Sequence, residues 1–358
     1  MRKIISVLII FVFAVFPLGA FAQKAGMPEH KQLQSPQTPR LGFIIHGGAG
    51  VISKNTLTPE REKQFRETLA AVVLAGYKAL QEGKSSLDAV ELAIRMMEDS
   101  PLFNAGKGAV FTNDGKNELD ASVMDGKNLA AGAVAGLRHV KNPITLARAV
   151  MEKSPHVMMT GDGAEKFAAE QKVELVDEKY FFTQERWDGL QRVLKEEKDK
   201  KEATEKAKPS VAEMPASREP QNRFGTVGAV ALDKSGNLAA GTSTGGMTNK
   251  RYGRVGDAPI IGAGTYANNN TCGVSATGWG EYFIRLGVAR DISSLMEYRG
   301  LPVQEAADAV MRKVGNLGGD GGVVAMDKFG NMAISFNSEG MYRAYIGKDG
   351  KPIVEIYK

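Results

Sequence analysis

The spacing of apolar residues divides the chain into helices and strands. The clearest helix has apolar side chains at helical intervals from Phe65 to Leu80, with Thr58 as its N-cap and Gly83 after its last turn. The same signals predict helices near residues 87–97, 143–151, 163–171, 281–286, 292–298 and 303–314, and strands near 41–45, 118–124, 129–137, 260–262 and 272–276. Because strands and helices come in runs rather than in strict alternation, this order favours a layered α+β architecture over a doubly wound sheet.

Two predicted hairpins resemble each other in sequence. One runs from Ala229 to Ala239 and the other from Val323 to Ala333, and each turns at a Gly-Asn pair. Such a pair suits the left-handed backbone angles of a tight hairpin turn. The chain shows no longer internal repeat, so the pattern does not predict a solenoid.

The first 22 residues predict a secretory signal peptide. Two basic residues precede an almost entirely apolar stretch, Ile4–Val15, and an Ala-x-Ala cleavage site ends the segment. The apolar stretch is short for a membrane span, although an uncleaved anchor is the alternative. We therefore expect a mature chain that starts near Gln23, with an exposed leader over residues 23–40, in the periplasm or secreted and with no membrane partner.

The net charge, the cysteine count and the length of the chain limit the partners that we expect and the ways in which the fold can be stabilised. Loss of Arg2 and Lys3 with the signal peptide lowers the formal charge from +5 to +3, which gives no indication of nucleic acid or of an anionic membrane as a partner. Cys272 is the only cysteine, so the chain cannot form an intrachain disulfide. A chain of 358 residues is long enough to stabilise itself by burying a core.

The composition changes sharply between Lys195 and Pro220. Residues 195–202 contain no apolar side chain, and three prolines follow. The first half is compatible with an extension of a solvated helix, whereas the second half cannot bury enough apolar surface to become ordered. We expect residues 41–358 to form one domain with a flexible tail at about 195–225.

A Gly-Thr pair lies where this segment meets a predicted strand. Gly225 ends the polar stretch, and small and apolar residues follow from Thr226 to Leu232. A threonine hydroxyl is a weak nucleophile unless a base lies beside it, and the α-amine of an N-terminal threonine can be that base. Cleavage after Gly225 would give Thr226 both groups, whereas without cleavage the pair is an ordinary strand start.

Other catalytic chemistries find little support in the sequence. The four histidines all precede Thr226, and only His46 adjoins a glycine-rich turn, residues 46–50. That turn lacks the GxGxxG spacing of a dinucleotide site, and the sequence has no HExxH, EF-hand or GxxxxGK[ST] motif. We interpret His46 as a histidine packed at a strand end rather than as the base of a Ser-His or Cys-His pair.

Two further threonines and one pair of opposite charges indicate a catalytic or binding site around Thr226. Thr244 and Thr277, like Thr226, lie at strand ends beside glycines, and hydroxyls next to bare glycine N–H groups are suited to binding an oxyanion. Arg254 and Asp257 lie three residues apart on a glycine-rich loop, where they could hold the α-carboxylate and α-ammonium of one amino acid. Taken alone, this second pair is better explained as an ordinary surface ion pair.

Together these segments resemble the plant-type asparaginase/isoaspartyl peptidase family of N-terminal nucleophile (Ntn) hydrolases. The motifs that carry the resemblance are HGGAG at 46–50, NAGKG at 104–108, GTVGAV at 225–230, TSTGG at 242–246, GRVGD at 253–257 and TG at 277–278. They follow the order of the family from about Leu41 to near the C-terminus. The resemblance implies a four-layer αββα sandwich, self-cleavage into an α-subunit (23–225) and a β-subunit (226–358), and an (αβ)2 heterotetramer.

The resemblance also implies roles for individual residues in catalysis. Thr226 is then the nucleophile, with its freed amine as the base, and Thr244 lies beside it and tunes it. Thr277 and the N–H of Gly278 bind the oxyanion. Asn104 matches a residue of the α-subunit that lies near the nucleophile.

Substrate and ion binding are implied by the same motifs. Arg254 holds the substrate α-carboxylate and Asp257 the α-ammonium, with Gly280 beside Thr277 and Gly278 in the substrate site. No cofactor is implied for catalysis, whereas the family has a loop that binds a structural sodium ion through backbone carbonyls. In this chain that loop corresponds to Met97, Glu98, Ser100, Phe103, Ala105 and Lys107.

The implied reaction releases L-aspartate from L-asparagine and β-aspartyl dipeptides, and two alternatives remain. A glycosylasparaginase cleaves the same bond when a sugar is on the amide nitrogen, but Gly225 favours the peptidase branch because the sugar-cleaving relatives usually have Asp there. A non-catalytic aspartyl-binding protein would keep Arg254 and Asp257 without cleaving its own chain. Trp279 departs from the family pattern and either changes the pocket or points away from it.

Overall fold

The described part of the chain comprises residues 33–34, 41–55, 57–206 and 225–358 of a computed structural model. The expected signal peptide (1–22), almost all of the expected leader (23–40) and residues 207–224 lie outside the described residues, so their boundaries stay predictions. One compact unit covers the chain from residue 32 to residue 358. None of the helices described within it is long and apolar enough to cross a bilayer.

The strands form two stacked β-sheets. They are β1 (Leu33–Gln34), β2 (Gly42–Gly50), β3 (Leu119–Asp125), β4 (Ala131–Leu137), β5 (Met158–Thr160), β6 (Val227–Leu232), β7 (Leu238–Thr244), β8 (Thr265–Ala267), β9 (Cys272–Gly278), β10 (Gly321–Asp327), β11 (Asn331–Phe336), β12 (Gly340–Ile346) and β13 (Pro352–Tyr357). The larger sheet has the order β13-β12-β2-β6-β7-β3-β4-β5, and the smaller has the order β1-β11-β10-β9-β8. Neighbouring strands are antiparallel except for β4 and β5.

Helices cover the outer face of each sheet. They are α1 (Pro59–Gln81), α2 (Ser86–Glu98), α3 (Pro143–Lys153), α4 (Gly161–Glu170), α5 (Gln184–Lys206), α6 (Gly280–Leu286), α7 (Val288–Arg299) and α8 (Val303–Asn316). Helices α1 to α3 pack on the larger sheet, α7 and α8 pack on the smaller one, and the inner faces of the two sheets contact each other. The expected αββα sandwich is therefore confirmed.

Helix α1 shows how the sequence pattern produces this packing. The side chain of Thr58 accepts a hydrogen bond from the backbone N–H of Arg61 at 3.2 Å, which satisfies an otherwise unpaired donor at the helix start. The periodic apolar residues, including Leu69, are buried against the larger sheet. Gly76 contacts the ring of Phe43 on β2, where any Cβ would overlap the ring. The helix is thus fixed by its cap and by one close approach to the sheet.

The predicted hairpins are confirmed, whereas other elements were not foreseen. Strands β6–β7 and β10–β11 are the two hairpins, and Gly236 and Gly330 adopt φ angles of 77° and 79° in their turns. The short strands β1, β5 and β8 and the last two strands, β12 and β13, had not been predicted. The strand expected at 260–262 was wrong, because this segment is a turn in which Ile261 forms an isolated bridge to Thr265. Part of the segment expected as a flexible tail is helical, because α5 continues to Lys206 and its Glu197 pairs with Arg251 at 2.7 Å.

Candidate active site

Thr226 lies directly before β6, beside the end of the neighbouring strand β7. Its side chain is buried, and its Oγ1 donates a hydrogen bond to Oγ1 of Thr244 at 3.1 Å. Thr244 Oγ1 also accepts from the backbone N–H of Gly246 at 3.0 Å. Because β6 and β7 form an antiparallel hairpin, the start of one and the end of the other meet. The hairpin therefore brings together the two hydroxyls that the sequence had singled out.

The Gly225–Thr226 peptide packs closely on the glycine-rich turn of β2. A Cβ on Gly225 would overlap the Cα of Gly48 and the nitrogen of Ala49. Gly48 itself has φ of 119°, which side-chain-bearing residues rarely adopt. Glycine is thus required on both sides of this contact. The approach fixes the peptide bond that precedes the threonine.

The smaller sheet contributes the opposite side of the site. Thr277 is fully buried on β9, and its Oγ1 accepts from the N–H of Ala49 at 3.3 Å. Gly278 follows with φ of 156°, and a Cβ there would lie 2.5 Å from the carbonyl oxygen of Asp320. The predicted oxyanion pair therefore lies next to the same turn that holds Gly225.

Arg254 and Asp257 are held by different means. Arg254 forms a two-pronged ion pair with Glu281, at 3.0 Å from Nε to Oε1 and 2.8 Å from Nη2 to Oε2. Asp257 is buried, and its Oδ2 has no hydrogen-bond partner among the described residues. Burial raises the pKa of Asp257 to about 7, although the nearby Arg254 opposes this shift. A Cβ on Gly280 would come within 2.9 Å of both side chains, so only glycine fits between them.

Thr226, Thr244, Arg254, Asp257 and Gly278 share one small cavity, whereas Thr277 and Gly280 are not among its lining residues. It is lined by Ala49, Gly225, Thr226, Thr244, Gly246, Met247, Arg254, Gly256, Asp257 and Gly278. Its volume of about 30 Å³ suffices for roughly one water molecule and not for an amino acid. Gly225 lies in its wall, so the residue before Thr226 occupies part of the space around the hydroxyl of Thr226.

Comparison with known proteins decides the family. A family model described as asparaginase matches residues 39–356. The chain belongs to the asparaginase family. It is 50% identical over 317 residues to the isoaspartyl peptidase of Escherichia coli K12, covering 88% of this chain and 96% of that protein. It is 42% identical to an isoaspartyl peptidase/L-asparaginase of Rattus norvegicus (88% and 90% covered) and 42% identical to a plant-type L-asparaginase of Pyrococcus furiosus (87% and 97% covered).

Asn104 supports the candidate site of this asparaginase-family chain from the segment after α2. Its side-chain amide donates to the carbonyl of Gly246 at 2.8 Å, and its Oδ1 accepts from the N–H of Val110 at 3.0 Å. Its backbone carbonyl accepts from the N–H of Gly245 at 3.0 Å. Asn104 therefore holds the turn that follows Thr244.

The expected sodium loop is a closed turn after α2. The carbonyl of Glu98 packs against Gly106, and the carbonyl of Phe103 against Gly108, so that a Cβ on either glycine would overlap a carbonyl oxygen. Arg186 donates to the carbonyl of Gly108 at 2.8 Å. The described residues contain no group of three or more His, Cys, Asp or Glu side chains suited to a metal.

Trp279 points away from the cavity. Its ring packs edge-to-face on Tyr282 at 4.9 Å between centroids, and it is not among the residues of the cavity wall. The sequence left open whether Trp279 changes the pocket or points away from it, and the structure shows that it points away.

Two residues of the site were missed by the sequence analysis. His46 is fully buried, and its Nδ1 lies 3.0 Å from the carbonyl oxygen of Thr226, so our interpretation of it as a packed strand-end histidine was incomplete. Glu281 was not considered, although it pairs with Arg254. The only signal for Glu281 was its place directly after Gly280, whereas the contact of His46 depends on the pairing of β2 with β6.

A larger cleft elsewhere offers no comparable chemistry. It has a volume of about 380 Å³ and lies between α2, α3 and the turn after α4. Its central cation, Arg148, is already paired with Asp88, Glu91 and Glu152 at 2.7 to 2.9 Å. Size alone would favour this cleft, or one of about 420 Å³ beside α4, over the small cavity. Among the described residues, it is the small cavity that combines the hydroxyls of Thr226 and Thr244 with a buried carboxyl and an arginine. The candidate active site is therefore the small cavity at Thr226.

Proposed function

We propose that this chain is a self-processing threonine hydrolase that releases L-aspartate from β-aspartyl peptides and L-asparagine. The names of its relatives support this activity. One observation carries the proposal: the hydroxyl pair of Thr226 and Thr244 shares a cavity with Arg254 and Asp257. A nucleophile and a pair of opposite charges in one cavity suit an amino-acid substrate with a reactive side-chain carbonyl.

Maturation begins with the uncut chain. The Oγ of Thr226 attacks the carbonyl carbon of Gly225, the C–N bond breaks, and the hydroxyl proton passes to the new amine. Water then hydrolyses the resulting ester, which leaves a carboxylate on Gly225 and a free α-amine on Thr226. The close contact of Gly225 with Gly48 supports this step because it holds the carbonyl carbon beside the hydroxyl.

Substrate hydrolysis uses the same hydroxyl. Arg254 binds the α-carboxylate of the substrate and Asp257 its α-ammonium, which places the β-carbonyl at Thr226. The Oγ attacks that carbon, the α-amine of Thr226 takes the proton, and the leaving amine or ammonia departs with it. Thr277 and Gly278 stabilise the oxyanion, and water then releases L-aspartate from the β-aspartyl ester.

Gel electrophoresis and N-terminal sequencing of the purified protein test the proposal. We expect two fragments, of which the second begins at Thr226, together with hydrolysis of L-asparagine and a β-aspartyl dipeptide. The variant Thr226→Ala should stay uncut and inactive. A second fragment with another first residue contradicts the mechanism. An uncut wild-type chain that binds L-aspartate without hydrolysis would instead support the non-catalytic alternative.

The glycosylasparaginase alternative is separated by substrate choice. We expect kcat/KM to be higher for a β-aspartyl dipeptide and for L-asparagine than for asparagine that carries a sugar on its amide nitrogen. The reverse order would assign the chain to the sugar-cleaving branch. Gly225 supports the first outcome.

We also propose that the loop from Met97 to Lys107 holds a structural sodium ion through its carbonyls. The support is its closed form, with the carbonyls of Glu98 and Phe103 packed against glycines. The ion would hold together the loop that leads to Asn104. Replacement of sodium by lithium should then lower the melting temperature of the mature protein, and an unchanged temperature would contradict the site.

We also propose that the processed protein forms an (αβ)2 assembly and that it is exported through the signal peptide of residues 1–22. Its proposed small-molecule partners are L-asparagine and β-aspartyl dipeptides. Sedimentation of the processed protein should give a mass near twice that of one chain without its signal. Cell fractionation should recover a mature N-terminus near Gln23 outside the cytoplasm.

A further inference from the structure

His46 connects the nucleophile to a buried layer between the two sheets. Its Nδ1 lies 3.0 Å from the carbonyl oxygen of Thr226. A carbonyl oxygen can only accept a hydrogen bond, so Nδ1 must carry the proton. Burial lowers the pKa of His46 to about 3, so the ring is neutral at physiological pH. Its other nitrogen, Nε2, is therefore an acceptor.

A chain of hydroxyls supplies the donor for Nε2. Ser275 Oγ lies 2.8 Å from Nε2, Thr242 Oγ1 lies 2.8 Å from Ser275, and Thr265 Oγ1 donates to Thr242 at 2.5 Å. Ser122 continues the chain at 2.8 Å from Thr265. These residues come from five strands of both sheets, and all of their side chains are buried.

The direction of the hydrogen bonds along this chain follows from which acceptors have other donors. Ser275 can also donate to the carbonyl of Gly241 at 3.0 Å and Thr242 to the carbonyl of Gly264 at 3.1 Å, but Gly241 lies in a paired strand and Gly264 already accepts from the N–H of Ala276. Nε2 of His46 has Ser275 as its one donor among the described residues, and a buried acceptor without a donor is costly. If Thr265 donates to Thr242, Thr242 to Ser275 and Ser275 to His46, then Nε2 is satisfied and Nδ1 is left to donate to Thr226. The hydroxyls thus select one tautomer of His46, although none of them contacts the nucleophile.

We propose that His46 is a positioning residue for Thr226, which it holds through the backbone carbonyl in the orientation set by the buried hydroxyl chain. This inference rests on the proposed function. His46 touches none of the reacting atoms. Its bond directs the carbonyl of Thr226 towards the layer between the sheets and leaves Oγ1 and the α-amine on the side of Thr244.

The bond matters most after cleavage. The mature Thr226 has lost its covalent link to Gly225, and its position then depends on the strand that follows it, on Thr244 and on His46. A displaced nucleophile slows the attack, whereas Arg254 and Asp257 lie on a separate loop and continue to bind substrate. Loss of the His46 bond should therefore lower kcat and leave KM nearly unchanged.

Two amide variants separate this role from packing. His46→Asn places its amide near the position of Nδ1, so it can still donate to the carbonyl of Thr226. His46→Gln places its amide near Nε2, so it reaches Ser275 instead. We expect kcat for L-asparagine to fall roughly 10- to 100-fold in His46→Gln and to be largely restored in His46→Asn, with KM within about twofold in both. His156→Gln, at an exposed histidine, is the control and should behave as wild type.

Failure of the inference is distinct from failure of the proposed function. If wild type is neither processed nor active, the function is wrong. If wild type is active, equal losses in the two His46 variants, a loss confined to KM, or normal kcat in His46→Gln would each overturn the positioning role. Where a variant is processed too slowly to purify in its mature form, the first-order rate of chain cleavage replaces kcat in this comparison.

A spectroscopic measurement on the wild-type protein does not depend on whether the variants fold. In protein labelled with ¹⁵N-histidine at pH 7, the ring of His46 should show a protonated Nδ1 and an unprotonated Nε2. Ser275→Ala removes the donor to Nε2, so kcat should fall several-fold while KM holds. A proton on Nε2 in wild type, or full activity of Ser275→Ala, would contradict the proposed chain.

Discussion

The two ends of the active-site cavity are built in different ways. At one end, Thr226 and Thr277 lie at strand ends. The hydroxyl of Thr226 bonds to that of Thr244, its carbonyl oxygen bonds to His46, and the hydroxyl of Thr277 accepts from the N–H of Ala49. At the other end, Arg254 and Asp257 lie on a loop in which the non-glycine residues Asn249 and Tyr252 adopt positive φ angles of 64° and 59°. The first end is fixed by two sheets, and the second by a loop and an ion pair.

This difference matches the roles that we propose for the two ends. The proposed nucleophile would have to keep its geometry through both maturation and hydrolysis, and strand ends held by neighbouring strands provide that. At the other end, Arg254 is paired with Glu281, whereas Oδ2 of Asp257 has no hydrogen-bond partner among the described residues. Burial without that partner is costly for a charged carboxylate, and it raises the pKa of Asp257. The hydroxyls of Thr226 and Thr277 therefore have hydrogen-bond partners before substrate binds, and the carboxyl of Asp257 is the group left for a substrate to satisfy.

The largest predicted effect comes from changing the binding end alone. Arg254→Lys and Asp257→Asn should lower kcat/KM for L-asparagine by roughly 2–5 kcal/mol, because each leaves a desolvated substrate charge poorly paired. Autocleavage involves no free amino acid and should proceed at a near wild-type rate. Arg251→Lys on the same loop is the control and should have little effect, since Arg251 forms an exposed pair. Equal damage to processing and hydrolysis would make the pair structural instead.

The pH dependence of activity should show the raised pKa of Asp257. Below pH of about 7 its carboxyl keeps its proton and cannot hold an ammonium group, so kcat/KM should rise as the pH increases through about 7. In Asp257→Asn this step should disappear, whereas the titration of the Thr226 amine, expected at about 8, should remain. An unchanged profile in the variant would remove Asp257 from the pH dependence.

The same shift predicts an effect on folding. The carboxyl ionises near 3.8 when exposed and near 7 when buried, so the folded state retains a proton that the unfolded state has lost between these values. Stability should therefore fall as the pH rises from about 4 to about 7. The melting temperature of Asp257→Asn minus that of wild type should therefore be larger at pH 8 than at pH 4. A difference that does not change with pH would contradict this linkage.

The smallest effect is expected at Glu281. Glu281→Gln removes its charge and keeps one acceptor for Arg254, so KM should rise by a factor of about 2 to 5 and kcat should hold, in line with an ion pair whose acid is half exposed. The difference from wild type should shrink at high salt, because screening weakens such pairs. A large fall in kcat would show that Glu281 acts on the reacting end.

The sequence alone determined most of the architecture and the residue types of the site. Helical spacing and the cap at Thr58 predicted α1, and Gly-Asn turns predicted both hairpins, because these signals depend on neighbours within a few residues. The Gly225-Thr226 pair and the loop of Arg254 and Asp257 were recognisable because their chemistry lies in short motifs. The strands β12 and β13 were missed since their motifs are weak and their partners lie far away in the chain.

Tertiary structure alone decided which groups meet and in what state of charge. His46 and Thr226 lie 180 residues apart and meet only because β2 pairs with β6. The same packing removes water from Asp257 and His46, which raises the pKa of the first and lowers that of the second. Burial is a property of the assembled layers, and no short stretch of sequence contains it. The sequence therefore named the reacting groups, and the packing of the two sheets set their geometry and their protons.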